Sequence, residues 1–461
     1  MSENYLSAMR DPVGVTFIDK SQIKRGIRAE FAPYYQDLLD NPSIQALLGK
    51  AIISTSISSE VIPEYALVLE HPLITPRNYA YEWSLVMLRD AALLTLDLCL
   101  ELNRGGNILK DANPWNILYQ GTTPILVDFT SIMPNDEDLL WVAYDQFMRT
   151  FLFPLLAGIY TTGRSSRALL LTNQNGVTPQ EIASSLPQKA RRTYPWLRAR
   201  LYRPIRLMDL MHKAGQEQKI SDYSKKLHYS STQRKAFLLE LQEDVQSLDL
   251  RTGSSMWSQY YQDMDTFFTP QKYHTKQKAI AELLQKCKPA SVVDMGCNMG
   301  GYAILAALQG AKVVAFDTDE DSISLLYRLA KEKQLDILPL VADVLYPSPT
   351  AGWRAQEFPA MPQRFQSEMG LALALEHHLA ISQNQTFERI VETFSEYCQK
   401  WLITEFVPVS DPRVQELLLT NRRDISWYTL DNFLSALRKK YRTVQTLPSF
   451  PEGRVLCFCE K

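Results

Sequence analysis

Ser291-Val-Val-Asp-Met-Gly-Cys-Asn-Met-Gly-Gly-Tyr302 sets an apolar strand, a glycine-punctuated turn and the start of an amphipathic helix in direct succession. That order makes a nucleotide site, because the bare backbone of the turn and the helix N-terminus both face a ligand. One helix later Lys312-Val-Val-Ala-Phe-Asp317 reads as a second apolar strand. Its terminal carboxylate falls where such βαβ units bind a ribose hydroxyl pair.

The spacing selects the nucleotide. A dinucleotide fingerprint wants glycine at 296, 298 and 301, the middle one bare so that a pyrophosphate can approach, and position 298 is Asn. A side chain there obstructs a pyrophosphate but not S-adenosylmethionine, which has none and uses the same turn and the same acidic strand end. The expected cofactor is therefore S-adenosylmethionine rather than NAD, held by Asp294, Gly296, Cys297, Asn298, Gly300, Asp317 and Thr318. Working outward, a helix over Ser322 to Lys333 leads to a third strand, Ile337 to Asp343, whose carboxylate is placed for the adenine amino hydrogens, with Val344 beside it. Leu371-Ala-Leu-Ala-Leu375 reads as the fourth strand, with Leu373 against the cofactor, and Trp401 to Phe406 as the fifth. Arg442 to Leu447 and Gly453 to Cys459 form a terminal antiparallel pair. The fold class is α/β, a Rossmann-like sheet of seven strands.

A continuously apolar fourth strand ends at the carboxyl edge of the sheet, where ligands bind in this architecture. Glu376-His377-His378 follows it directly, so the catalytic candidates are His377 and His378 with Glu376 adjacent, one imidazole acting as general base. Neighbouring residues point different ways, so one histidine at most is expected to face the cleft. Glu405, at the end of the fifth strand, is a further candidate, with a salt bridge to an arginine such as Arg364 as its alternative. Arg354 and Arg364 are candidates for holding an acidic acceptor. The six cysteines and six histidines are scattered without ligand spacing, so no metal is expected.

A chain of 461 residues exceeds one ordinary core, and Arg251-Thr-Gly-Ser-Ser255 is its best linker. The expected domains are 1–250, α+β and largely helical, and 256–461. Within the first, Val15 to Ile18 reads as strand, Tyr34 to Gly49 as helix, Tyr81 to Gly105-Gly106 as a long helix, and Asp136 to Tyr160 as further helix. Net charge of −2 gives no global affinity for polyanions. Locally, Lys189 to Lys235 carries thirteen Lys and Arg against three acids, interleaved with Tyr194, Trp196, Tyr202, Tyr223 and Tyr229. Basic and aromatic residues together bind RNA or an acidic substrate; the alternative is a solvated helical face with the aromatics turned inward. Cysteines without pairing pattern, no leader-like N-terminus and no apolar run beyond about ten residues lead to the expectation of a cytoplasmic protein without a membrane span.

Asp294, Gly296, Gly300, Asp317 and Asp343 resemble the motif positions of class I S-adenosylmethionine-dependent methyltransferases across roughly the last 200 positions. The resemblance implies methyl transfer, and in many such enzymes a segment placed like Trp257 to Tyr273 folds over the cofactor; the alternative is simple packing on the sheet edge. Tyr81-Glu-Trp83, Leu109-Lys-Asp111, Pro347-Ser-Pro-Thr-Ala-Gly-Trp353, Leu371 to Leu379 and Glu405-Phe-Val-Pro408 look like a bacterial two-part family of nodulation-protein-related methyltransferases, in which Cys297 stands where many relatives carry Ala. Upstream, Asp111, Asn116 and Asp128-Phe-Thr resemble, over about 40 residues, the catalytic loop and metal-binding triplet of kinases and aminoglycoside phosphotransferases. Without a Gly-rich loop the resemblance implies a degenerate kinase-like scaffold in preference to an active phosphotransferase, with unrelated loop chemistry as the alternative. Three functions compete: a small-molecule or sugar methyltransferase, an RNA or protein methyltransferase using the basic segment, and a non-catalytic cofactor-binding regulator.

Overall fold

The computed structural model describes residues 5–6, 11–19, 22–136, 138–213, 228–250, 264–420 and 423–461. The chain divides into two compact units, residues 1–120 with 124–250, and residues 121–123 with 251–461. The linker expected at Arg251 to Ser255, the stretch 257–263 of the aromatic segment and Tyr223 lie outside the described residues.

The first unit opens with an antiparallel five-stranded sheet in the order Tyr5–Leu6, Gly14–Asp19, Gln22–Ile27, Leu67–Pro72, Ser56–Ile57. The helix expected over 34–49 is two pieces, Ala32–Asp40 and Pro42–Gln45. Pro42 forces the residue before it out of the helical region, and Asn41 stands at ψ 120°, its side chain accepting from the Ser43 amide at 2.9 Å. The long helix spans Leu85–Arg104, four residues later than expected, because Ser84 caps it and Ala80–Glu82 forms a separate 3-10 turn. Met87, Ala91 and Leu98 are buried along it. Helix after Asp136 begins only at Tyr144 and runs, through a π turn, to Tyr160.

The kinase-like loop is knitted into this unit by charge pairs. Arg25, on the strand Gln22–Ile27, donates to both Asp128 and Thr130, and the Thr130 hydroxyl lies 2.8 Å from Asp128. Burial alone would raise the Asp128 carboxyl, yet Arg25 and Thr130 hold it below the usual range, so the charge a metal would meet is already met by a guanidinium. Lys110 pairs with Asp11 at 2.8 Å. In the basic segment Tyr194 is buried, Arg200 is tied through Nε to Asp244, and Arg234 donates to the carbonyls of Leu139 and Leu140 at 2.9 and 3.0 Å. These side chains hold the fold together rather than face solvent.

The second unit is the seven-stranded mixed sheet. Its strands are β1 (Ser291–Met295), β2 (Lys312–Asp317), β3 (Ile337–Val341), β4 (Ser367–Ala372), β5 (Cys398–Phe406), β6 (Thr443–Pro448) and β7 (Val455–Glu460). They stand in the order β3-β2-β1-β4-β5-β7-β6, parallel except for β7, which is antiparallel to both neighbours. Helices α1 (Thr275–Cys287), α2 (Gly301–Leu308) and α3 (Glu320–Glu332) connect and flank the first strands. Val292, Val293, Ala315 and Ile337 are fully buried, as parallel strands covered on both faces must be. β4 begins four residues before the expected strand and ends at Ala372; Ala374, at φ 50°, has already left extended backbone. No helix among the described residues is long and apolar enough to cross a membrane.

Candidate functional site

The turn after β1 is fixed by its neighbour strand. The amides of Gly296 and Cys297 both donate to the Phe316 carbonyl, at 2.9 and 3.1 Å, and the Gly300 amide closes on Cys297 at 2.8 Å. Gly296, Asn298 and Gly300 all take positive φ, 70°, 52° and 75°. Asn tolerates the left-handed region better than other side chains, which accounts for its place in a glycine-like turn. Its amide donates to Asp317 Oδ2 at 2.8 Å, while Oδ1 accepts from the Asp319 amide at 2.9 Å, so the β2 carboxylate ties the turn to its own strand end. Burial raises the Asp317 carboxyl despite those amides.

Beneath the turn Asp294 is buried, and its Oδ2 has no hydrogen-bond partner. Desolvation pushes its carboxyl up to about 7, against the pull of the Ala303 amide at the head of α2. After β3, Asp343 Oδ1 accepts from the Leu345 amide at 2.8 Å. All of these carboxylates face one cavity of about 660 Å³ at the carboxyl edge of the sheet. Gly296, Cys297, Asn298, Thr318, Val344 and Leu373 line it as well. The cavity is of a size that takes a cofactor or drug-sized ligand. Gly300 is outside the lining: a Cβ there would stand 2.5 Å from Leu326, so this glycine serves the packing of α2 on α3.

His377 and His378 both line the cavity, their ring centroids 4.2 Å apart. The expectation that one at most would face it is corrected by the local backbone: the chain is helical from Glu376, so successive side chains are about 100° apart rather than opposed as on a strand. Glu376 stands behind them, outside the lining and fully buried. Its Oε1 accepts from the Val407 amide at 2.7 Å and the Tyr428 hydroxyl at 2.9 Å. Its Oε2 and His377 Nδ1 both lack partners and lie 3.6 Å apart. Burial, then the neighbouring His377, Arg413 and Arg454, push the His378 imidazole down to about 3.

Glu405 is likewise outside the lining. It is fully buried, bonded to Lys276 Nζ at 2.6 Å and to the Ser449 hydroxyl, so the salt bridge foreseen for it exists with Lys276 rather than with Arg364. Arg364 donates to the Pro359 carbonyl and the Ser348 hydroxyl, and neither it nor Arg354 reaches the cavity wall. Residues not singled out for ligand binding do: Lys276 and Gln277 from α1, Tyr302 from α2, Arg413 and Arg454. From the aromatic segment Phe267 lines the cavity, packed edge-on against Tyr302 with centroids 5.4 Å apart.

Residues 259–345 match the family model described as tellurite resistance protein TehB. Among solved structures, TehB from Haemophilus influenzae shares 13% identity, covering 43% of this chain and 67% of its own, with a TM-score of 0.30. The bifunctional kinase-methyltransferase WbdD shares 17%, covering 43% of this chain and 39% of its own, at 0.29. Such scores carry no argument about function. The chain is 30% identical to the nodulation protein NoeA of Rhizobium meliloti (strain 1021) across 445 residues, covering 95% of this chain and 92% of that protein. The seven-stranded sheet with an antiparallel seventh strand is the class I methyltransferase fold, and the chain belongs to the family of nodulation protein NoeA.

Proposed function

We propose that the protein is an S-adenosylmethionine-dependent methyltransferase acting on a hydroxyl of a small molecule or sugar. The observation that carries this reading is the single cavity on which the strand-end carboxylates Asp294, Asp317 and Asp343 converge with His377. The residues fit the cofactor: the orphaned Asp294 Oδ2 awaits a cationic or hydrogen-bearing partner, Asp317 retains acceptor capacity for ribose hydroxyls, and Val344, Leu373 and Phe316 give apolar walls. When bound, S-adenosylmethionine supplies a methyl carbon activated by a sulfonium that leaves as a neutral thioether.

The chain's own work is alignment and proton removal. His377 takes the proton of the acceptor hydroxyl as the oxygen's electron pair forms the new bond to carbon, and Glu376, whose Oε2 stands 3.6 Å from Nδ1, is the residue that would orient the ring with Nε2 toward the acceptor. His378 is too weak a base for that step and packs the His377 ring in place. Lys276 is neutralised by Glu405, which holds it at the wall between α1 and β5. In the basic segment Tyr194 is buried and Arg200 and Arg234 are paired inside the first unit, while Arg191, Arg192, Arg198, Arg203 and Arg206 are exposed, the pattern of a solvated helical face with an aromatic turned inward, and the six free thiols fit a reducing cytoplasm. Incubating the full chain with methyl-13C S-adenosylmethionine and a small-molecule extract tests the reading. A new 13C-methoxy signal, lost with His377→Gln, is expected; labelled product that forms equally with that variant would contradict the assigned base.

A further inference from the structure

We propose that the acceptor is an anionic hydroxyl compound, a sugar acid or sugar phosphate, whose charge is held by Arg413 and Arg454 while its hydroxyl meets His377. The proposal rests on the methyl-transfer reading above and names its substrate class. Arg454 immediately precedes β7, whose first residue Val455 pairs with Phe406, the last residue of β5. That register sets the guanidinium on the carboxyl edge of the sheet, on the β4–β5 side. Arg413 reaches the same edge from the helix Pro412–Thr420 that follows β5. Both line the cavity, Arg413 from its rim, where its side chain is 45% exposed and its Nη1 lies 3.2 Å from Glu416 Oε2.

Asp411 organises the pair. Its Oδ2 accepts from Arg454 Nε at 2.8 Å, and its Oδ1 from the Arg413 backbone amide at 2.9 Å. Desolvation alone would raise the Asp411 carboxyl, but Arg454 holds it below the usual range, so the pair is charged at neutral pH. Arg454 is only 6% exposed. A buried ion pair stabilises a fold little better than packed apolar side chains of the same volume, so an arginine in this wall is better explained by what enters the cavity. The acids of the wall, Asp294, Asp317 and Asp343, all belong to β1, β2 and the turn after β3. The acids of the lining thus stand on the β1–β3 side and its two arginines on the side of β5 and β7, with Lys272 and Lys276 entering from the start of the unit. The arginines act on that side on His378, whose imidazole they help to keep neutral. A guanidinium beside the reacting oxygen also stabilises the negative charge that grows as its proton leaves.

The test is calorimetric titration of the full chain saturated with S-adenosylmethionine, using glucuronate, glucose 6-phosphate and glucose as probes. At least one acidic sugar should bind and glucose should not, the carboxylate and phosphate arms telling the two sources of charge apart. Arg413→Gln should weaken that binding about tenfold, leaving cofactor affinity unchanged. Because Arg454→Gln alone would strand a buried Asp411 and risk unfolding, the paired variant Asp411→Asn with Arg454→Gln is the second arm, with a loss of tenfold or more expected. Glucose binding as tightly as the acids, no acid binding, or undiminished binding in both variants would overturn the proposal. Failure of the methyl-transfer reading would show separately, as the absence of any 13C-methoxy product in the labelling experiment above.

Discussion

The unpartnered Oδ2 of Asp294 makes a pH-dependent site. Its carboxyl, pushed up to about 7 by burial, stands far above an unfolded value of about 3.9, so the stability it contributes is present below pH ~4 and is lost as pH rises through ~7. The free protein therefore carries a buried, ill-compensated charge at pH 8 that a cationic cofactor would relieve. S-adenosylmethionine affinity should rise with pH between about 6 and 8, by up to roughly tenfold per unit below the carboxyl's pKa, and binding should release a proton. Calorimetry in buffers of different ionisation enthalpy measures both; a flat profile would sink the assignment. Asp294→Asn should melt higher than the wild type at pH 8 without ligand and bind the cofactor roughly tenfold weaker or worse. For the dyad, His377→Gln should cut kcat about a hundredfold at unchanged cofactor affinity, Glu376→Gln less, and His378→Gln least. Equal small losses in all three would leave alignment as the whole of catalysis. The acids at the strand ends were legible in the sequence because position alone fixes what they face. Glu405 was not, because its partner Lys276 lies 129 positions away and only the folded sheet brings them together.

At the scale of elements the glycine turn carries the clearest test. Gly300 holds φ 75° and has no room for a Cβ beside Leu326, so Gly300→Ala should cost roughly 2 kcal/mol of stability, read as a lowered Tm. A variant as stable as the parent would mean that α2 does not start as described. The sequence located β4 too late for an instructive reason. Ser367 and Glu368 are polar and fall outside the expected strand, yet Glu368 is bonded to the Ala290 amide and to Lys400 and belongs to the strand. Leu373 and Leu375 are apolar and extend the expected strand, yet β4 has ended at Ala372: Leu373, expected against the cofactor, and Leu375, beyond the turn at Ala374, both line the cavity. Apolarity reports burial, and burial against a ligand site looks the same as burial in a sheet. The same limit applies to the kinase-like loop, whose Asp128 is held by an arginine 103 residues earlier. Magnesium ATP should give no thermal shift, since a nucleotide at a hundred times its dissociation constant would stabilise by about 2.7 kcal/mol. A shift abolished by Asp128→Ala would show instead that the loop binds nucleotide.

For the whole molecule, the α/β class was readable because parallel strands buried on both faces leave uninterrupted apolar runs, and several of these end in an acid. The alternating, cap-broken helices of the first unit left weaker marks: Pro42 and Ser84 divide what periodicity joins. The central claim is that the second unit binds S-adenosylmethionine through the β2 carboxylate. Titration of the full chain with S-adenosylmethionine tests it most directly, with Asp317→Asn alongside. Saturable binding at one site is predicted, weakened in the variant by about ten- to a hundredfold, or on the order of 1.5–3 kcal/mol, as a charged acceptor of ribose hydroxyls is lost. No binding by the wild type, or undiminished affinity in a folded Asp317→Asn protein, would contradict it.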